Sequence, residues 1–428
     1  MCGIAGFVNF NGHDKREANS RIRAMTETLV HRGPDGDGYF VDDRAALGHR
    51  RLAIIDMQTG SQPMSDLHDQ LQIVFNGEIY NFQALRRELE GFGHCFRTRS
   101  DTEVILKAFV QWGSDCLQHL NGMFAFAIWD TRSGMLFLAR DRVGKKPLFF
   151  QVQENSVSFG SELTALVAGG SVSKQIDPES LDCYLTLGYV PAPRTIYRGV
   201  HKLEPAQFAL ISRDSVRKKK YWELSFAEST SASFDDIVDE FEELLDECVS
   251  CRLISEVPLG AFLSGGLDSS LVVSSMTKFM NDAVKTHSIG FDDNRFNELG
   301  AARSIADHLS TEHTEFVVQP KAIEVLPKIA RYLDEPLADS SVLPTWYVCE
   351  MTRQSVTVAL SGDGGDESFG GYTFRYLPHT VESRIRSVLP AAVRGVTFGS
   401  LGAIWPHSAR LPKALRLKSI FENLAVSD

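Results

Sequence analysis

No stretch of about 18 apolar residues occurs in these 428 residues, so the sequence offers no membrane-spanning helix. The nearest approach, Val388 to Trp405, is broken by Arg394. The N-terminus lacks a basic region followed by an apolar one, so no secretory leader is expected and the cytoplasm is the expected compartment. An excess of basic charge is missing as well. The formal net charge is −11, which argues against nucleic acid as a partner. Cysteine is sparse: Cys2, Cys95, Cys116, Cys183, Cys248, Cys251 and Cys349 are odd in number and scattered, so they are no disulfide framework. Cys248-x-x-Cys251 has no second Cys or His pair at matching spacing. It lies on an amphipathic helix pattern with Ile237, Phe241, Leu244 and Leu245, which favours core packing over zinc or redox chemistry.

What is present describes an ordinary folded protein, 43% hydrophobic and 23% charged. The length exceeds what one core usually supports, so at least two domains are expected. The chain opens Met1-Cys2-Gly3-Ile4-Ala5-Gly6-Phe7. Removal of Met1 is expected, because the side chain that follows it is small. Cys2 would then carry a nucleophilic thiol and a free α-amine on one residue. An α-amine titrates near ~7.7–8.0 and a thiol near ~8.5, a suitable match for proton transfer at neutral pH. Gly3 and Gly6 allow close approach of backbone to a substrate, and Ile4, Ala5, Phe7 and Val8 suit a buried strand. Position alone does not separate this reading from a chance cysteine.

Turn formers crowd His31-Arg32-Gly33-Pro34-Asp35-Gly36. The run Leu52-Ala53-Ile54-Ile55 predicts a buried strand with Arg50 and Arg51 at its mouth. Asn76-Gly77 within Phe75-Asn76-Gly77-Glu78-Ile79-Tyr80-Asn81 ordinarily marks a hairpin turn. The same dipeptide also suits an oxyanion hole, built from the Asn amide and the Gly N–H. Ser100 or Asp101 reads as the cap of a helix beginning Thr102-Glu103-Val104. Strands over Met123–Trp129 and Met135–Ala139 complete a set of short strands with few helices. Stacked antiparallel sheets covered by helices are the expected result. Arg217-Lys218-Lys219-Lys220 reads as a solvated turn, and Ser229–Ser233 as a linker.

Beyond residue 235 the period changes. Helix 236–253 precedes strand Pro258–Leu263, the loop Ser264-Gly265-Gly266-Leu267-Asp268-Ser269-Ser270 and helix Leu271–Phe279. Alternation continues through strand Thr286–Phe291, helix Glu298–Leu309, strand His313–Val318, helices Lys321–Leu333 and Val342–Thr352, and strand Val356–Leu360. That last strand ends in Ser361-Gly362-Asp363-Gly364-Gly365-Asp366-Glu367. The pattern implies a parallel sheet with helices on both faces. Ligands bind such sheets beyond the carboxyl ends of strands, where both glycine-rich loops lie. The first loop offers small residues, N–H groups and a helix start to phosphate, although it lacks the Gly-Lys-Ser/Thr ending of a Walker loop. Taken alone, it reads more readily as a plain turn. Helices Ser383–Leu389, Ala391–Gly402 and Lys413–Leu424 close the sequence.

Five motifs together resemble the glutaminase domain of class II glutamine amidotransferases, an N-terminal-nucleophile fold. They are the Met-Cys-Gly-Ile-Ala-Gly start, Arg32-Gly33-Pro34-Asp35, Arg51-Leu52-Ala53-Ile54, Asn76 to Asn81, and Ser100-Asp101-Thr102-Glu103. The loop at Ser264 resembles the PP-loop of the ATP pyrophosphatase fold. The two in this order resemble glutamine-hydrolysing asparagine synthetases. The resemblance implies an α+β N-terminal-nucleophile antiparallel sandwich at 2–210, a linker at 211–235, and an α/β parallel-sheet PP-loop domain at 236–428.

It further implies that Cys2 attacks the glutamine amide, that Asn76 and Gly77 stabilise the oxyanion, that Arg51 pairs with the α-carboxylate, and that Glu78 and Asp101 hold the α-ammonium. Leu263, Ile289, Ser361 and Gly362 would contact ATP, with Ser264, Gly265, Gly266, Asp268 and Ser269 around its phosphates. Asp268 and Asp366 are the magnesium candidates. Glutamine, ATP and aspartate would be the substrates, with β-aspartyl-AMP as intermediate and ammonia passing through a dry tunnel. A related amidotransferase acting on a cell-wall, polysaccharide-linked or peptide carboxylate would show the same motifs. So would a remnant limited to hydrolysis or binding. Only about sixty residues follow Glu367, whereas family members continue further. A shortened C-terminal portion, weak amide synthesis and exposed apolar surface favouring a homodimer are therefore expected.

Overall fold

The computed structural model describes residues 1–226, 230–291, 297–319, 322–406, 412 and 417–426, with Phe374 and Arg375 as backbone alone. Ser229, Lys321 and Lys413, named above as limits of elements, lie outside the described residues. Packing divides the chain into two compact units, Met1–Gly266 with Val272–Leu360, and Leu267–Leu271 with Ser361–Asp428.

The first unit begins with twelve strands: β1 Gly3–Asn9, β2 Gly36–Val41, β3 Ala45–Arg51, β4 Met64–Ser65, β5 Leu71–Ile79, β6 Gly122–Asp130, β7 Met135–Arg140, β8 Phe149–Gln153, β9 Ser156–Gly160, β10 His201–Lys202, β11 Gln207–Ile211 and β12 Val216–Lys220. They form two antiparallel sheets, ordered β10-β8-β9-β1-β3-β2 and β12-β11-β7-β6-β5-β4. Alternation along β1 explains the layering, since successive side chains point to opposite faces. Ile4 and Val8 turn toward Val74, Ala125, Trp129 and Leu138 of the second sheet. Ala5 and Phe7 turn the other way, onto Ile22, Met25 and Leu29 around helix Lys15–Glu27. On the far side, helices Phe82–Gly91 and Asp101–Trp112 bury Leu85, Leu89, Val104 and Ile105 against Phe75, Phe126 and Phe137. The sandwich covered by helices is the expected architecture.

A third sheet follows, made of β13 Leu259–Phe262, β14 Lys285–Phe291, β15 Glu312–Val318 and β16 Val358–Leu360. Its order is β15-β14-β13-β16 and every pairing is parallel. Leu259, Ala261 and Leu263 pack with Val273, Met276, Ala302 and Ala306 from the helices Leu267–Phe279 and Leu299–Leu309. In the second unit, helices Ala391–Ile404 and Lys418–Ala425 pack together around a buried Arg394, whose Nε donates to Leu389 O at 3.1 Å.

Three local expectations are corrected. Leu52–Ile55 is a loop: the paired strand is Ala45–Arg51, between β1 and β2, and the chain leaves the sheet at Leu52. Asn76-Gly77 is no turn. It lies inside β5, opposite Ala125 and Phe124 of β6, so tertiary pairing overrides the local preference. The basic run 217–220 is an edge strand paired with β11, and its residues are exposed.

Candidate active site

The N-terminal half brings its named residues to one end of the sandwich. Cys2 precedes β1, and its thiol meets the loop that leaves β3. Leu52 N donates to Cys2 Sγ at 3.4 Å, and Sγ lies 3.6 Å from Leu52 O. Burial raises the thiol pKa above its ordinary value, against the Leu52 N–H and the adjacent α-amine, which lower it. A neutral thiol of this kind needs a base. The α-amine of this chain belongs to Met1, and burial lowers it to about 6. Met1 must leave before Cys2 itself carries that amine.

Asn76 is fully buried, and neither Oδ1 nor Nδ2 finds a hydrogen-bond partner among the described residues. A buried amide without partners is costly, and such exceptions point to a ligand group. Gly77 follows. A Cβ there would stand 2.1 Å from Met123 O and 2.8 Å from Phe124 Cα, so no side chain fits. Both residues are fixed by the β5–β6 ladder, which makes them rigid donors.

Arg51 ends β3 and folds over the next loop. Its guanidinium donates to the carbonyls of Ile55 and Met57, each at 3.3 Å, and to that of Asp56. Asp101 opens the helix capped by Ser100, whose Oγ accepts from Thr102 N at 3.2 Å. The Asp101 carboxylate is buried and accepts from Ile79 N at 3.0 Å, beyond Glu78 on the same strand. Burial, with help from the charge on Glu78, pushes its pKa up to about 7. Glu78 is also raised by burial, while Lys146 pulls it down.

Four residues that sequence reading left without a role belong to this cluster. Arg32 donates from Nε to Cys2 O at 3.0 Å and from Nη1 to Glu162 Oε1 at 2.8 Å. His31 Nε2 lies 2.9 Å from the same oxygen. Lys146 is buried, and burial lowers its pKa, opposed by Glu78. Arg32 stood inside a quoted motif. Lys146 carried no signal beyond a Lys-Lys-Pro run, and Glu162 none.

In the C-terminal half the predicted residues fall into two groups. Within the first unit, Leu263, Ser264 and Ile289 line a cavity of about 500 Å³, with His287, Asn297 and Val348 on its walls. Gly265 has φ +79°, and a Cβ there would lie 2.6 Å from Ala302 N, so this turn requires glycine. Gly266 N donates to Ser264 Oγ at 3.2 Å. Within the second unit, a Cβ on Gly362 would meet Ser269 N at 2.6 Å, and one on Gly365 would meet Asp268 Cγ at 2.4 Å. The second glycine loop therefore lies flat on Asp268 and Ser269. Ser361 Oγ donates to Asp363 Oδ2 at 2.8 Å, and Asp366 lies in the short helix Gly365–Phe369. Among the described residues no three His, Cys, Asp or Glu side chains group as a metal site. The oxygen donors of Asp268 and Asp366 have the hardness magnesium prefers, and a cation held by two carboxylates would complete its shell with substrate and water oxygens.

Comparison with known proteins follows the same division. Residues 1–222 match the family model for a glutamine amidotransferase domain, and residues 240–427 that for asparagine synthase. The chain is 38% identical over 427 residues to asparagine synthetase [glutamine-hydrolyzing] 1 of Bacillus subtilis, covering 99% of this chain and 65% of that protein. It is 38% identical to the putative asparagine synthetase [glutamine-hydrolyzing] 2 of Methanocaldococcus jannaschii, covering 87% and 76%. Asparagine synthetase [glutamine-hydrolyzing] 3 of B. subtilis is 36% identical, with 87% and 63% covered. The chain thus spans about two thirds of the length of the B. subtilis relatives.

Proposed function

The chain belongs to the family of glutamine-hydrolysing asparagine synthetases, and on that premise we propose that Cys2 releases ammonia from glutamine for transfer to an ATP-activated aspartate. The observation that carries the glutaminase reading is the Asn76 amide, buried and without a hydrogen-bond partner among the described residues, beside a glycine that tolerates no side chain. The Cys2 thiol, freed of Met1, gives its proton to its own α-amine and attacks the glutamine amide carbon. Asn76 Nδ2 and the Gly77 N–H receive the negative charge on the carbonyl oxygen, where fixed dipoles act without reorganising. Ammonia departs with the transferred proton, a γ-glutamyl thioester remains, and water cleaves it to glutamate. Arg51 takes the substrate α-carboxylate with its fork of donors. Glu78 and Asp101 take the α-ammonium.

In the second half, the cavity at Leu263, Ser264 and Ile289 would hold nucleotide. Gly265, Gly266, Asp268 and Ser269 are candidates for the phosphates, and Ser361 and Gly362 for further ATP contacts. Magnesium, held by Asp268 and Asp366, would supply charge neutralisation of the leaving pyrophosphate. Aspartate would be adenylated on its β-carboxylate with release of pyrophosphate, and ammonia would displace AMP.

Purified protein given glutamine, ATP and aspartate, with glutamate, pyrophosphate and asparagine each measured, tests the proposal. Glutamate is expected as the main product, with pyrophosphate and asparagine formed only weakly by a chain that spans about two thirds of its B. subtilis relatives, and the Cys2→Ala variant should form no glutamate. Glutamate release by Cys2→Ala at the parental rate would overturn the first half of the reading. Pyrophosphate released only with a different carboxylate would overturn the second.

A further inference from the structure

Glu256 belongs to none of the residue sets named above. It lies in the C-terminal half, three residues before β13, whose strand runs on into Leu263 and Ser264 of the nucleotide cavity. Its contacts go to the other half of the same unit. Glu256 Oε1 accepts from Asp56 N and Oε2 from Met57 N, each at 3.1 Å, while its own N donates to Ile54 O at 3.0 Å.

Those two N–H groups belong to the same peptide planes that hold Arg51. The Ile55 carbonyl and the Asp56 N–H form one planar unit, and the Asp56 carbonyl and the Met57 N–H form the next. Arg51 Nη2 donates to both carbonyls. Each plane therefore has a carboxylate at its N–H end and a guanidinium at its C=O end. The opposed charges align and polarise both peptide dipoles, which strengthens the hydrogen bonds at each end. Orientation is fixed as well, because a planar peptide cannot turn its carbonyl without turning its N–H. The loop needs this support. Asp56 sits at φ +52°, a region few non-glycine residues occupy, and its carboxylate braces the turn by accepting from Thr59 N and Arg99 N, each at 2.9 Å.

We infer that Glu256 is a positioning residue for glutamine recognition. It orients the Arg51 guanidinium toward the substrate α-carboxylate through two peptide groups, without touching substrate. The nucleotide-binding half thus supplies part of the geometry by which the other half reads glutamine. This rests on the role proposed above for Arg51.

Steady-state glutamine hydrolysis by the full chain tests it, using L-glutamine and its α-carboxamide analogue, which lacks the negative charge Arg51 would pair with. For Glu256→Gln, KM for glutamine should rise about 10-fold with kcat within twofold, because one of two N–H acceptors becomes an opposing donor. The kcat/KM for the analogue should not move, and Glu256→Gln in an Arg51→Ala background should add nothing. Glu256→Ala, which adds no opposing donor, should show the same pattern. An unchanged KM in both variants, an equal loss on both substrates, or full additivity with Arg51→Ala would overturn the inference. Wild-type protein inert toward glutamine would instead remove the glutaminase reading, and this inference with it.

Discussion

Asn76 and Asp101 place opposite demands on the fold, and each leads to its own measurement. The Asn76 amide is held in a ladder without a hydrogen-bond partner among the described residues, so the fold bears a desolvation cost, and a bound oxyanion would offset the part that falls on the Nδ2 donor. Asn76→Ala should lower kcat for glutamine hydrolysis about 10²–10³-fold with little change in KM, as removal of one oxyanion donor does elsewhere. A fall of less than threefold would exclude the amide from that role. Asp101 has the opposite problem, a charge in a place that disfavours it. Its carboxyl, pushed up to about 7, is protonated below that pH and ionised above it. Only the ionised form attracts an α-ammonium. The kcat/KM for glutamine should therefore climb as pH rises through about 7, and Asp101→Asn should lower it and remove that inflection. A pH profile of kcat/KM for both proteins checks this.

At the scale of elements, the turn from β13 toward helix Leu267–Phe279 is tightly constrained at Gly265. Gly265→Ala would force a Cβ against the backbone of Ala301 and Ala302 and a side chain into φ +79°. ATP-dependent pyrophosphate release should fall at least 10-fold while glutamine hydrolysis stays within twofold. Separate assays of the two products on one preparation decide it. This turn was legible in the sequence because Ser264-Gly265-Gly266-Leu267-Asp268-Ser269 resembles a PP-loop and the alternation around it exposes the parallel sheet; the glycine pair alone would have read as a plain turn. The sandwich was legible for a similar reason: β1 alternates with period two. Two segments were not. Leu52–Ile55 has strand composition, but its polar backbone groups go to Cys2, Asp35 and Glu256 rather than to a sheet. Asn76-Gly77 has turn composition, yet β6 pairs with it along its whole length. In both cases partners distant in sequence decide the conformation, and a local reading has no access to them. Glu162, Lys146 and Glu256 escaped notice for the same reason.

At the scale of the whole first unit, the two halves are tied by carboxylates that cross from one to the other. Asp334 caps the helix Leu163–Ala168, accepting from Leu163 N at 2.6 Å and Thr164 N at 3.1 Å. Glu335 accepts from Ile196 N at 2.8 Å and pairs with Lys202. Asp334 is half-buried near Glu162, and desolvation chiefly, with that like charge, raises its pKa to about 6. The sign follows from linkage. The folded chain holds this proton more tightly than the unfolded one, so the stability it contributes is full below about pH 4 and is lost as pH rises through 6. The melting temperature of wild-type protein should therefore fall between pH 5 and pH 7 by more than that of Asp334→Asn. Parallel slopes for the two proteins would show that the proton is not held there.

One rim of the second sheet is β12, four of whose five residues are Arg217, Lys218, Lys219 and Lys220. A rim strand offers unsatisfied amides and carbonyls to any chain that meets it. Here an approaching copy would bring an identical row of cations against the first, and the repulsion is felt before any ladder can form. The acidic molecule thus carries four consecutive cations along a sheet edge, where their repulsion opposes edge-to-edge stacking of copies.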